Sequence, residues 1–365
     1  MTKTVFYYKR GSGVERLSAP ELASLLLGAL LESDESPAAA LAPPSEEEEL
    51  ARRLEEVARN AAEVAEVDGR QMLERLRSLG WLSSDEGGVG YSLAPQLLRA
   101  LELRALRRLF AFSLRSKGMW PRAGGRGPNE PSGPEEAWRW GQPLRLDAAA
   151  TLKKVLPGDV SDLRLEDLRV RAGEGGRRLA LALLVDCSHS MVLYGADRFG
   201  PAKRLALALA HWVRVAGGWM QAFCIHDRAD PIPETKLPFI RVLPSHTNTA
   251  AGLARAHDWL RRRMAEDRQV VLVTDGRPTA VETEGGEVYK NAWGADPLIR
   301  ERTLAEAVRL RRLGAELQLY LLGEEEAAIE FSRELARRAR GRLVRTGAEE
   351  LGRRVLLEME RLRPA

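Results

Sequence analysis

Cysteine is almost missing from this 365-residue chain: only Cys187 and Cys224 are present. Two are too few for a disulfide framework, and both lie inside apolar runs where any small hydrophobe would serve. A reducing compartment follows, so the expected location is the cytoplasm. Long hydrophobic runs are missing as well. No window approaches the roughly 18 uninterrupted apolar residues of a membrane span, and Met1–Glu15 lacks the apolar core of an export signal. No membrane association is expected. Charge of one sign is not in excess either, since 56 Lys and Arg against 52 Asp and Glu leave only +4; bulk charge therefore gives no reason to expect nucleic acid. Two catalytic signatures are absent. There is no G-x-S-x-G elbow, and the glycines of 122–133 are not followed by the Lys-Ser or Lys-Thr of a phosphate-binding loop. The chain is not expected to be an enzyme or to hydrolyse ATP by itself.

What is present is an ordinary globular composition, 44% hydrophobic and 30% charged, in a chain two to three times the usual domain of about 100–200 residues. Residues 1–114 read as a helical N-terminal domain. Ala19–Leu31 and Leu50–Leu79 carry apolar residues at helical spacing, with Gly69 as a break and an acidic linker near 32–49. Trp81-Leu82, Asp85-Glu86-Gly87-Gly88 and Tyr91-Ser92-Leu93 have the pattern of a hairpin between helices, as in the wing of a winged helix. Residues 115–174 form a Gly/Pro-rich strap and connecting segment, in which Trp120, Trp138 and Trp140 stand beside several arginines. That mixture would suit stacking on bases, but it serves equally well to pin an irregular segment to the next domain. Nucleic acid is the alternative reading of this half.

Residues 175–365 change character. Short apolar runs at Arg178–Val185, Trp219–Ile225, Gln269–Thr274, Glu316–Leu322 and Arg342–Arg345 alternate with helical patterns at Gly200–Ala216, Thr249–Met264, Arg300–Leu313, Glu325–Arg340 and Ala348–Arg361. Strands buried on both faces and alternating with helices predict an α/β fold with a doubly wound, mostly parallel sheet of Rossmann-like type. Phe239–Leu243, between Pro238 and Pro244, is expected to be an edge strand.

In such a sheet the ligand site lies at the carboxyl ends of the strands, and those ends are unusually polar here. They read Asp186-Cys187-Ser188-His189-Ser190, His246-Thr247-Asn248-Thr249 and Thr274-Asp275-Gly276. Neutral hydroxyls with few carboxylates suit a hard divalent ion, Mg2+ first, with Mn2+ or Ca2+ as alternatives. Ser190 or Thr247 alone would be explained as a helix cap. His189, His226 and His246, with Asp227, fall at the same face. They lack the spacing of a Zn2+ site, so a metal-dependent hydrolase is the lesser alternative.

D-x-S-x-S after a buried strand, T-N before a helix and T-D-G after another strand resemble the metal-ion-dependent adhesion site of von Willebrand factor type A (vWA) domains. The resemblance implies Asp186, Ser188, Ser190, Thr247 and Asp275 as metal ligands, directly or through water. It also implies a protein partner whose Asp or Glu completes the shell, with His189, His246 and Asp227 at the partner rim. His189 departs from the pattern, standing where many members have Gly. The phrases GQPLRLDAAATLKK, LLVDCSHSM, FGPAKRLALALAHW, HTNTAAGLARA and TDGRPTA are further similar to bacterial cytosolic CoxE-like vWA proteins. That likeness implies an adaptor or co-chaperone working beside a MoxR-type AAA+ ATPase.

Overall fold

The computed structural model describes residues 17–31, 46–61, 68–84, 91–115, 135–137, 169–171, 178–193, 197–215, 217–293, 296–352 and 354–355. Most of the acidic stretch, the hairpin tip at 85–90 and most of the strap, including Trp120, Trp138 and Trp140, lie outside them.

The N-terminal part contains the helices α1 (Ala19–Leu31), α2 (Glu46–Ala61) and α3 (Gly69–Ser78), a hairpin of β1 (Leu82–Ser84) and β2 (Tyr91–Leu93), and the helix α4 (Pro95–Arg115). Gly69 is the first residue of α3, capped by Asp68, whose side chain accepts from the Arg70 amide at 2.8 Å. A Cβ at Gly69 would sit 2.2 Å from the Ala51 carbonyl oxygen. Glycine is thus what allows α2 and α3 to touch there. The strap contributes one described pairing, β3 (Glu135–Ala137) antiparallel to β4 (Arg169–Arg171).

The remainder builds a six-stranded sheet from β5 (Leu179–Asp186), β6 (Trp219–Ile225), β7 (Ala229–Ile232), β8 (Asp267–Thr274), β11 (Glu316–Leu321) and β12 (Arg342–Arg345). The small hairpin β9 (Ala280–Glu282) and β10 (Val288–Lys290) follows β8 in the chain. The sheet order is β12-β11-β8-β5-β6-β7, parallel throughout except for β7. The helices are α5 (Phe199–Val215), α6 (Thr249–Arg261), α7 (Pro297–Arg312) and α8 (Glu326–Ala339). Of the expected last helix, 351–352 and 354–355 are helical and 356–365 lie outside the described residues.

Alternation along β5 shows why the sheet is covered on both sides. Leu181, Leu183 and Val185 join a core with α5 and the N-terminal helices, whereas Ala180, Ala182 and Leu184 join a core with α6, α7 and α8. The first core is continuous from Leu22 in α1 through Leu101 in α4 to Leu205 in α5. At the seam between α4 and α5, Glu102 is fully buried and takes two hydrogen bonds from Arg214, at 2.6 and 2.7 Å.

One expected strand is corrected. Phe239–Leu243 is not an edge strand: Glu234–Phe239 is a 3-10 helix, and the following residues are irregular. The edge belongs instead to β7, which pairs with β6 and carries Pro231; a proline is tolerated there because an edge needs no further N–H donor. The apolar character of the 239–243 segment comes from packing. Val242 is buried in the first core, and the Phe239 ring lies 5.9 Å from that of Tyr91 in the N-terminal hairpin.

Candidate metal centre

β5 runs to β6 on one side, and the chain later returns to place β8 on the other, so the strand order reverses between β5 and β8. A crevice opens at the carboxyl ends of a sheet at such a point. Asp186 ends β5, and Asp275 follows β8 directly.

Asp186 is fully buried. It accepts from the Thr274 hydroxyl at 2.6 Å and from the Ser188 amide at 3.0 Å. No described cation pairs with it. Burial, and then the negative charge of Asp275, push its carboxyl up to about 6, against the lowering effect of its hydrogen bonds. Asp275 is also raised, chiefly by burial, although the Ser190 hydroxyl donates to Oδ1 at 2.8 Å and Arg198 Nη1 lies 3.2 Å from Oδ2. The two serine oxygens are 3.1 Å apart.

Helix capping does not account for these hydroxyls. Ser188 precedes the 3-10 helix His189–Val192 yet makes no side-chain cap bond, and Ser190 turns to Asp275. The cap of α6 is Asn248, which accepts from the Ala251 amide at 3.0 Å and donates to the Asp227 carbonyl. Thr247 is thereby spared that task. Its amide donates to the Thr279 hydroxyl, and its carbonyl accepts from the Thr279 and Ala280 amides. Those bonds tie the buried Thr247 to the turn that follows Asp275, while the His189 amide reaches the Ser245 carbonyl at 3.5 Å. The structure therefore links Asp186, Ser188, Ser190 and Asp275 directly, and holds the loop of Thr247 against both neighbours.

The rim is organised differently from a set of free ligands. Asp227 accepts from the His246 amide at 2.9 Å and pairs with Lys290. Burial raises its carboxyl, but these contacts outweigh it and hold it below the usual carboxylate range. His226 pairs with Asp230 at 2.9 Å. Among the described residues, no three His, Cys, Asp or Glu side chains gather as a metal cluster. Cys187 and Cys224 are both buried.

Three roles were not read from the sequence, although Thr274 stood in the T-D-G phrase. Thr274 orients Asp186 and Thr279 holds Thr247, each through a hydroxyl whose partner is remote in the chain. Arg198 reaches Asp275 from the start of α5, where its neighbour Asp197 accepts from the Gly200 amide at 2.7 Å. Gly323 is a fourth device at this end: a Cβ there would lie 1.7 Å from the Asp275 carbonyl oxygen.

A mostly parallel sheet with this strand-end crevice is the architecture of a vWA domain. The family model described as "Rv0959-like protein, vWA domain" matches residues 179–359, from the first residue of β5 to beyond β12, and this part of the chain belongs to the vWA family. The chain is similar to Rv0959 of Mycobacterium tuberculosis (strain H37Rv) and to Mb0984 of Mycobacterium bovis, each 32% identical over 330 residues, covering 85% of this chain and 48% of the relative. It thus spans about half the length of the curated relatives it matches. Solved structures with likeness include the PilB minor pilin of Streptococcus sanguinis, with a TM-score of 0.42 and 13% identity over 53% of this chain and 63% of that one. Another is the SpRpn10 VWA domain, with a TM-score of 0.34 and 14% identity over 47% of this chain and 89% of that one.

Proposed function

We propose that this chain is a non-enzymatic protein-binding module whose vWA crevice holds a divalent cation, Mg2+ in the first instance, through Asp186, Ser188, Ser190, Thr247 and Asp275. The observation that carries this reading is a pair of buried carboxylates facing two serine hydroxyls that cap no helix. All of these donors are hard oxygens, which suit Mg2+, Mn2+ or Ca2+. Burial raises both carboxylates, and the charge of Asp275 raises Asp186 further; a cation between them would offset both effects.

A cation held there supplies a positive centre for an acidic side chain of a protein partner. Asp186 and Asp275 balance the ion's charge, the serines and Thr247 add neutral oxygens, and His189 and His246 stand at the rim where the partner arrives. The likeness to CoxE-like proteins supports an adaptor or co-chaperone role beside a MoxR-type AAA+ ATPase in the cytoplasm. In that arrangement the N-terminal helices carry the module.

The test is affinity isolation of partners with the wild-type chain and with Ser188→Ala/Ser190→Ala, in Mg2+ and in EDTA at equal ionic strength. Partners should be retained only by the wild type with Mg2+. An identical partner set under all conditions would overturn the reading.

A further inference from the structure

Arg198 lies where a bound cation would compete with it. Its Nη1 is 3.2 Å from Asp275 Oδ2 and 3.5 Å from the Ser190 carbonyl oxygen, while the Ser190 hydroxyl occupies the other Asp275 oxygen at 2.8 Å. Both oxygens of Asp275 are therefore engaged within the chain. The pair is well shielded from water, with side-chain exposures of 17% for Arg198 and 5% for Asp275. Screening is weak in such surroundings, so a guanidinium and a divalent ion on one carboxylate repel each other strongly. Beside Arg198, Asp197 accepts from the Gly200 amide at the first turn of α5, and the guanidinium reaches Asp275 just past the end of β8.

We propose that Arg198 is a built-in counter-cation that competes with the divalent ion for Asp275 and so sets the ion affinity of the crevice. This rests on the metal reading above. Charge counting gives the consequence. With Arg198 on Asp275, the two carboxylates and the guanidinium leave the crevice one negative charge. An ion with two positive charges must therefore displace the guanidinium from Asp275 to bind, so it binds more weakly than at two uncompensated carboxylates.

Calorimetric titration of Mg2+ and Mn2+ into the full chain tests this with wild type, Arg198→Gln and Arg198→Lys. Arg198→Gln should bind the ions on the order of tenfold more tightly, a difference of about 1.4 kcal/mol, while Arg198→Lys, which keeps the charge, stays within about threefold of wild type. A second reading needs no variant to gain affinity: the Arg198 side-chain NMR signals of the wild type should shift toward those of a solvated guanidinium as Mg2+ is added. Wild-type binding with no tightening in folded Arg198→Gln, or with Arg198 signals that stay put, overturns the role of Arg198 and leaves the metal reading standing. Absence of binding by all three proteins at millimolar ion overturns both.

Discussion

Glu102 and Asp186 are both fully buried carboxylates, held in opposite ways. At the α4–α5 seam, Glu102 meets Arg214 through two short bonds, with His211 Nδ1 at 3.8 Å and Glu234 completing the cluster on the outer side. Burial pushes Glu102 up, but its contacts with His211 and Arg214 overcome that and hold it below the usual range. In the crevice, Asp186 has hydroxyl and amide donors but no cation among the described residues, and is raised. A buried carboxylate matched within the chain serves the fold. One with no cation of its own among the described residues, beside a second carboxylate, is open to charge balance by a bound ion.

The largest effect should come from breaking the seam. Arg214→Met leaves Glu102 buried without its guanidinium and should lower the unfolding free energy by about 3–5 kcal/mol in denaturant titration. The double change Glu102→Leu/Arg214→Met should recover most of that loss, because the uncompensated charge is then gone. Ion binding in the crevice should be unchanged in both.

Next in size is pH, where the two regions should respond with opposite signs. Asp186 is raised on folding, so in the metal-free protein its share of stability is full below the ordinary carboxylate range and is lost as pH rises to about 6. That loss is roughly 3 kcal/mol. Glu102 is lowered, so its share is present above the ordinary range and is lost as pH falls through the depressed value. Urea unfolding of Asp186→Asn should lack the loss between pH 4 and 6 and abolish Mg2+ binding, whereas wild type with saturating Mg2+ should gain stability above pH 6. The Asp186 response depends on Asp275, Thr274 and Ser188, which face it, and on Arg198 only through Asp275.

The smallest effect sharpens the contrast. Gly323→Ala forces the Asp275 loop to move, because the new Cβ meets the Asp275 carbonyl oxygen. It should cost about 1–3 kcal/mol by overpacking. Calorimetry should also show weaker Mg2+ binding, although residue 323 is not a ligand.

The strands and helices of the vWA domain were legible because each signal is local. β5 and β8 are unbroken apolar runs bounded by polar residues, and Asp186, Ser188, Ser190 and Asp275 stand at their ends. Phe239–Leu243 misled for the same reason: short apolar runs look alike whether they pair in a sheet or fill a seam. β7 was hidden because Asp230 and Pro231 lower its strand signal.

By itself, then, the chain determined its alternation of strand and helix and the polar residues at each strand end, since period and strand termini depend on neighbours a few positions apart. Tertiary structure alone decided that Arg214 faces Glu102 and Arg198 faces Asp275. It also decided that Asn248 rather than Thr247 caps α6, and that Thr274, remote in the chain, meets Asp186. Pairings between long side chains depend on how whole helices pack against the sheet, and no local spacing records that packing.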